Sequence, residues 1–504
     1  MIKSESISER KEDFFVQASL DILGKEIQEV PCKIYLPEST MDKPYFWFRP
    51  SKIQFDILSK TNKTSFSAVL DGFNSKKEVT IISPEVYLSS KSTRYWGPNS
   101  SESTLKGEPQ NLKVVQVINL ADKIESNRGF LNIWISPNSL LEPILMPQYH
   151  YHGDIKYDRV GQIEFEISEN LIVTFDKHFK TATQKNGDLK QSSFLVGCAE
   201  VDSLQINDTK YENEIMSLVD NFLMVASLGS RTRTACLGWE IFTNNHIVKF
   251  YRSEISFPSG KSEFLINCAF PEDLKGSNHT HSLIDRSCFQ DYLKTCFPAL
   301  LSYPNPEILC DAIVNLVPGR KRTIEESFLS MFSSLESLIL DFRKRNNLEY
   351  VIADEEEWKS RKKEMHESVT TIMKNYSGEQ RSYVYGKLDE LNRIPLRIVF
   401  EKFCSEYNIN VSDLWPLFRV DGIIGLSDIR NKLIHGDIIS NDYIKMLSEA
   451  NSSLQYMLER VLLTILEYPI DKSDVSKTLL FYDQFRLNWT VDEQIKFTDY
   501  IDNL

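Results

Sequence analysis

Two hydrophobic periods divide the chain. Up to about residue 265, apolar positions alternate with polar ones, the spacing of half-buried strands. Ile53, Phe55 and Ile57 alternate with Lys52, Gln54 and Asp56, and Leu131, Ile133 and Ile135 repeat the pattern. Ile163, Phe165 and Ile167 run through Ser168-Glu169-Asn170 into Leu171-Ile172-Val173-Thr174-Phe175, which predicts a hairpin. Trp239 and Ile241, then Asn244-Asn245, then Ile247-Val248-Lys249-Phe250-Tyr251 predict another. One amphipathic helix interrupts the series, with Ile215, Leu218, Val219, Phe222 and Leu223 on a single face. Many short strands separated by turn residues predict an antiparallel sandwich or a barrel-like sheet.

From about residue 283 the period changes to 3.6. Asn305 before Pro306 marks a helix start, and Pro318-Gly319 a stop. Thr323 and Glu326 have the spacing of a capping box, ahead of an apolar face built from Phe328, Phe332, Leu335, Ile339 and Phe342. Leu388, Leu391, Ile398, Val399 and Phe403 predict a helix or helix pair bent at Pro395. A last long helix opens at Asn441 and carries Ile444, Leu447, Leu454, Leu458, Val461, Leu462 and Ile465. The fold class expected is α+β: an N-terminal antiparallel β-rich domain (1–265), a connecting helical segment (266–305), an all-α bundle (306–470) and a C-terminal tail (471–504). Asp354-Glu355-Glu356-Glu357 and Lys359-Ser360-Arg361-Lys362-Lys363 are opposed charge runs, read as a solvated connection or insertion.

Composition narrows the class. The 504 residues include 58 Lys+Arg and 71 Asp+Glu, a formal net charge of −13, so a uniformly basic coat for nucleic acid is excluded while a local basic site is not. The polar start of the chain predicts no signal peptide, and no long uncharged apolar run predicts a membrane span. The eight cysteines include no CxxC pair and read as reduced thiols of a cytoplasmic protein.

The chemistry concentrates in Leu426-Ser427-Asp428-Ile429-Arg430-Asn431-Lys432-Leu433-Ile434-His435-Gly436-Asp437. Ser427 is a suitable N-cap, Ile429 and Leu433 give i, i+4 burial, and Gly436 is a natural stop, which predicts a short helix ending at His435. Asn431 and His435, four apart, share a face. Arg430 lies about 100° around, and its length lets it reach the same pocket. The negative end of the helix dipole favours a protonated His435, suited to proton transfer near neutrality. RNA cleavage without metal needs this set. A base takes the proton of a ribose 2′-OH, an acid protonates the 5′-oxygen leaving group, and a guanidinium stabilises the pentacovalent phosphorane. Asn431 is placed to orient the scissile phosphate or the His435 ring.

Arg430-Asn431-x-x-x-His435 resembles the R-x4-6-H motif of HEPN ribonucleases in its RNxxxH form. Phe328-Leu329-Ser330-Met331-Phe332-Ser333-Ser334-Leu335-Glu336-Ser337-Leu338 and Leu433-Ile434-His435-Gly436 are similar, more specifically, to the ApeA-type HEPN domain of bacterial anti-phage proteins. The resemblance covers roughly residues 306–467. It implies a HEPN helical bundle, a homodimer in which two RNxxxH helices form one composite site, and no cofactor or metal. It further implies abortive-infection defence by cleaving RNA, with tRNA a candidate substrate and a phage-derived trigger. Higher assembly is left open, as is what the N-terminal domain senses. An RNxxxH string arises by chance in roughly one chain in fifty of this length, so its setting between two long amphipathic helices adds to the motif.

Plainer readings stand beside these. Arg430 and His435 have Asp428 and Asp437 as neighbouring acids to pair with. Glu336 borders an apolar face and needs a partner: either Arg430 or His435 in a supporting role, or Arg343 or Lys344 in a boundary ion pair. Arg320-Lys321-Arg322, Arg343-Lys344-Arg345 and Arg361-Lys362-Lys363 are candidate phosphate contacts or simply solvated faces; the first is the preferred RNA-binding cluster. Tyr383, Tyr385 and Trp415 are candidates to stack bases, with core packing the better reading for most of them. His150-Tyr151-His152 and His279-Thr280-His281 lack companion ligands for a metal. No P-loop, GxGxxG, GxSxG or HExxH occurs. The rival functions are a non-catalytic dimerising module that binds RNA or protein, and a carbohydrate- or peptide-binding β domain with an oligomerising helical part.

Overall fold

In the computed structural model, residues 13–22, 25–35, 44–51, 53–55, 65–74, 77–97, 100–117, 128–149, 155–183, 189–202, 209–243, 246–256, 262–264, 281–476 and 491–504 are described. An N-terminal antiparallel β-rich region is followed by an all-helical one, and the chain separates into two compact units. The first comprises 1–293 with 317–321, the second 294–316 with 322–504. The boundary between 293 and 294 falls inside a continuous helix within the connecting segment 266–305.

The β unit is built on β1 (Asp13–Ile22), β2 (Lys25–Tyr35), β3 (Tyr45–Phe48), β4 (Ser65–Asn74), β5 (Lys77–Gly97) and β6 (Ser100–Gln110). Their order β5-β4-β1-β2-β3-β6, with β6 returning to pair with β5, closes a six-stranded antiparallel barrel. Its interior holds Leu20, Val30, Ile34, Phe46, Phe48, Ile81, Val86 and Leu105, all buried. Gly107 is required there, because a Cβ would lie 2.6 Å from Val86. The first half of β5 also pairs with β7 (Leu112–Val117), where the sheet continues.

That continuation uses β8 (Arg128–Ile135), β9 (Ile144–Tyr149) and β10 (Ile155–Val160) as a separate hairpin, β11 (Glu164–Ser168), β12 (Leu171–Thr183), β13 (Leu189–Asp202), β14 (Cys236–Phe242) and β15 (His246–Tyr251). Its order is β7-β15-β14-β8-β13-β12-β11, and both hairpins expected from the sequence are present as β11–β12 and β14–β15. The turn Asn244-Asn245 lies outside the described residues. The helix α1 (Thr209–Ser230) covers one face, its Phe222 ring 4.8 Å from Phe165 and 5.4 Å from Phe175. Alternation along β8 understates its burial, since Asn132 and Trp134 are covered as well as Leu131, Ile133 and Ile135. In the same row Glu240 and Lys249 face each other across β14 and β15 as a buried pair 3.4 Å apart.

One expected strand is not a strand. Residues 53–55 form a helical turn, with Phe55 N donating to Ser51 O (2.8 Å) and Ser51 N to Gln54 Oε1 (2.8 Å). Ser51 and Gln54 have capping-box spacing, and these local hydrogen bonds outweigh an alternation too short to command burial. Ile53 is left 75% exposed, and Ile57 lies outside the described residues.

The helical unit contains the end of α2 (Phe289–Ser302), then α3 (Pro306–Leu316), α4 (Ile324–Arg345), α5 (Glu355–Ile372), α6 (Gly378–Tyr385), α7 (Leu396–Glu406), α8 (Leu426–His435), α9 (Ile444–Ile465) and α10 (Val491–Asp502). The central α4 packs on α3, α7, α8 and α9. Thr323 caps it by accepting from Glu326 N (3.1 Å). The helix expected to bend at Pro395 instead starts there, because proline is tolerated at a helix start and leaves Leu388–Asn392 as a separate 3-10 turn. The opposed charge runs form a true helix, α5, capped by Asp354 and without a buried residue. With α6 it makes an insertion whose two ends meet: Val351 N donates to Asn392 O (2.7 Å) and Ile394 N to Glu349 O (3.2 Å). The segment expected as a tail carries α10, with Phe497 and Ile501 buried. Among the described residues no helix is long and apolar enough to cross a membrane.

Candidate active site

The helix α8 is short, and its place depends on what surrounds it. Only Leu426 and Ile429 are buried along it. Its start differs from expectation: Ser427 lies inside the helix and Gly425 is the N-cap. The Asp428 carboxylate reaches back to accept from Gly425 N (2.9 Å), so an acid three residues in does the capping. A side chain at 425 is impossible without movement, since a Cβ would lie 2.5 Å from the Phe418 carbonyl carbon. The buried Trp415 fixes this approach by donating from Nε1 to Ile424 O (2.9 Å). At the other end Gly436 adopts φ +87°, and Asp437 N bonds to Lys432 O (3.1 Å), the left-handed stop expected of glycine.

On this helix Arg430 turns toward α4. Its Nη2 lies 3.2 Å from Glu336 Oε2, its Nη1 donates to Asn431 Oδ1 (3.1 Å), and its guanidinium stands 5.7 Å from the centre of the Phe332 ring. Glu336 thus takes Arg430, not Arg343, which donates to the Leu348 and Glu349 carbonyls. Asp428 does not compete for Arg430, being engaged with Gly425 N and Arg419 (3.4 Å). His435 is exposed, and among the described residues its imidazole has no hydrogen-bond or ion-pair partner. Asn431 is exposed one turn before it, with Ile434 (53%) and Ile438 (86%) exposed alongside. The helix therefore presents an exposed imidazole and a guanidinium whose direction is fixed by the Glu336 carboxylate, the Asn431 amide oxygen and the Phe332 ring.

The basic clusters are less available than the sequence implies. Arg322 folds back on α3, donating to Asn315 O (3.1 Å). Arg320 and Lys321 are exposed but fall in the first compact unit, whereas Arg430 and His435 lie in the second. Arg345 is held by Asp341 (2.8 Å) and Tyr303 (2.7 Å), Arg361 by Glu364 (3.3 Å) and Lys362 by Asp389 (2.7 Å). Tyr383 is exposed and bonded to Glu379, while Tyr385 stacks on His366 and Trp415 is core. Of the histidine pairs, His150, His152 and His279 lie outside the described residues.

The sequence signal for Gly425 and Asp428 was present as Gly-x-x-Asp but was masked by the more familiar cap residue Ser427. Phe332 was legible as core and not as the ring beneath Arg430. Comparison of the chain with known protein families, curated proteins and solved structures finds no match.

Proposed function

We propose that the protein is a metal-independent endoribonuclease of the HEPN type acting in anti-phage defence, with tRNA the first substrate to test. The observation that supports it best is the division of labour on α8: Arg430 is aimed by Glu336 and Asn431, while His435 is exposed and, among the described residues, without a partner. A buried or ion-paired histidine is a structural group; an unengaged one on the same short helix as an oriented guanidinium is available for proton transfer at a phosphate. In this reading His435 is the general acid/base, Arg430 stabilises the phosphorane, Asn431 positions the phosphate and Glu336 orients Arg430. One imidazole supplies one of the two proton transfers, so in this reading a second copy contributes the other; the exposed Ile434 and Ile438 offer apolar surface for that copy.

Purified protein is incubated with tRNA in EDTA, alone and with extract of phage-infected cells, and 2′,3′-cyclic phosphate and 5′-hydroxyl ends are mapped. His435→Ala is expected to lose roughly 10²–10⁴-fold in rate, and Arg430→Ala a comparable amount. Absence of cleavage under every activating condition, or equal cleavage by the variants, overturns the proposal. RNA binding untouched by His435→Ala with no product formed is the outcome of a non-catalytic binding module.

A further inference from the structure

The C-terminal helix α10 meets the chain on both sides of α8. Before α8, Ile424 N donates to Thr498 Oγ1 (3.2 Å). There too Arg419 forks onto Asp502, with Nη1 to Oδ2 at 3.0 Å and Nη2 to Oδ1 at 2.6 Å. The same guanidinium lies 3.4 Å from Asp428, the acid that caps α8. After α8, the Tyr500 hydroxyl accepts from Ser440 N (2.8 Å) and faces Ile438 O (3.4 Å), while its ring stacks 4.1 Å from Tyr443. Between these contacts Phe497 is fully buried, its ring 6.2 Å from Trp415, the side chain that fixes the approach to α8.

A ten-residue helix with two buried side chains does not hold its own position. Its middle is tied to α4 through Arg430 and Glu336, and both its ends are tied through α10. We infer that α10 is a positioning element for the RNxxxH helix, with Thr498, Tyr500 and Asp502 together with Arg419 as positioning residues. Arg419 and Thr498 set the first turn, four to six residues before Arg430. Tyr500 sets the chain three and five residues beyond His435. The spacing of guanidinium and imidazole relative to a bound phosphate then depends on a helix that touches neither. Its consequence for cleavage rests on the ribonuclease reading; the anchoring itself does not.

The test measures two quantities on the full-length protein. Tyr500→Phe removes the hydroxyl and keeps the stacking ring, and Asp502→Asn weakens the fork, so neither opens a cavity. Backbone amide exchange is followed at Ile424, at Ser440 and along 426–435, with Leu454–Leu462 of α9 as the internal control. Loss of one net hydrogen bond predicts exchange faster by roughly two- to tenfold at Ser440 and the last turn of α8 in Tyr500→Phe. Asp502→Asn acts similarly at Ile424 and the first turn, and α9 is unchanged in both. Cleavage shows kcat lower by a similar factor with KM unchanged. Unaltered exchange along α8 in both variants overturns the inference, as does a fall in kcat without faster exchange. If wild type cuts no RNA yet exchange accelerates, the ribonuclease reading fails and the anchoring stands.

Discussion

The Glu336–Arg430 pair is about 30% exposed on each side, so water screens it and it adds at most about 1 kcal/mol to folding. Its effect is directional: a carboxylate on one helix holds a flexible guanidinium on another while Phe332 supports it from below. Glu336→Gln keeps the shape and gives up the charge. Its melting temperature is expected to stay within about 4 °C of wild type. The cleavage rate should fall about tenfold as Arg430 loses its charge-assisted partner. A thermal melt and a cleavage time course check both parts, and an unchanged rate would show that Glu336 does not serve the site. At this scale the motif residues were legible, because i, i+4 spacing is local. Their partners were not: Glu336 stands 94 positions from Arg430, and nothing in the sequence decides between Arg430 and the nearer Arg343.

Among the elements, the insertion between α4 and α7 is the most self-contained. α5 and α6 bury no residue, and Asn392 closes the neck by accepting from Ile352 N (2.8 Å) and donating to Ile352 O (3.0 Å). Replacing residues 353–391 with a short glycine link is expected to leave the helical bundle folded, with a melting temperature within about 4 °C of the parent. Circular dichroism melts check this, and a molten or insoluble product would show that the arm supports the bundle. Long elements were legible from period alone, α4 and α9 most clearly, because their apolar faces repeat over many turns. α10 was not. Its buried positions Gln494, Phe497, Thr498 and Ile501 follow helical spacing, but two of the four are polar, Thr498 serving a hydrogen bond to Ile424, so a hydropathy pattern passes over them. Residues 53–55 failed in the opposite way, with an apolar alternation overruled by a local cap.

Over the whole molecule the acidic balance extends into the proposed nuclease region, where residues 306–470 hold 21 Lys+Arg and 26 Asp+Glu, a net of −5. Many of those bases are already engaged with carboxylates or carbonyls. RNA affinity is therefore expected to vary weakly with salt. A plot of log affinity against log salt between 50 and 200 mM should have a slope no steeper than about −3. Fluorescence anisotropy with labelled tRNA measures it, and a steeper slope would reveal a cationic surface that these contacts do not show. In the β unit, β5 is one uninterrupted strand with two memberships: its first part is hydrogen-bonded to β7 of the open sheet, its later part to β6 of the barrel. Trp134, Leu237 and Tyr251 of the sheet pack in the same core as Phe46 and Phe48 of the barrel. No joint exists there for one half to swing against the other. Any deformation of the barrel along β5 therefore also bends the sheet, because the two share one strand and one core, as the two arms of a lever share a beam.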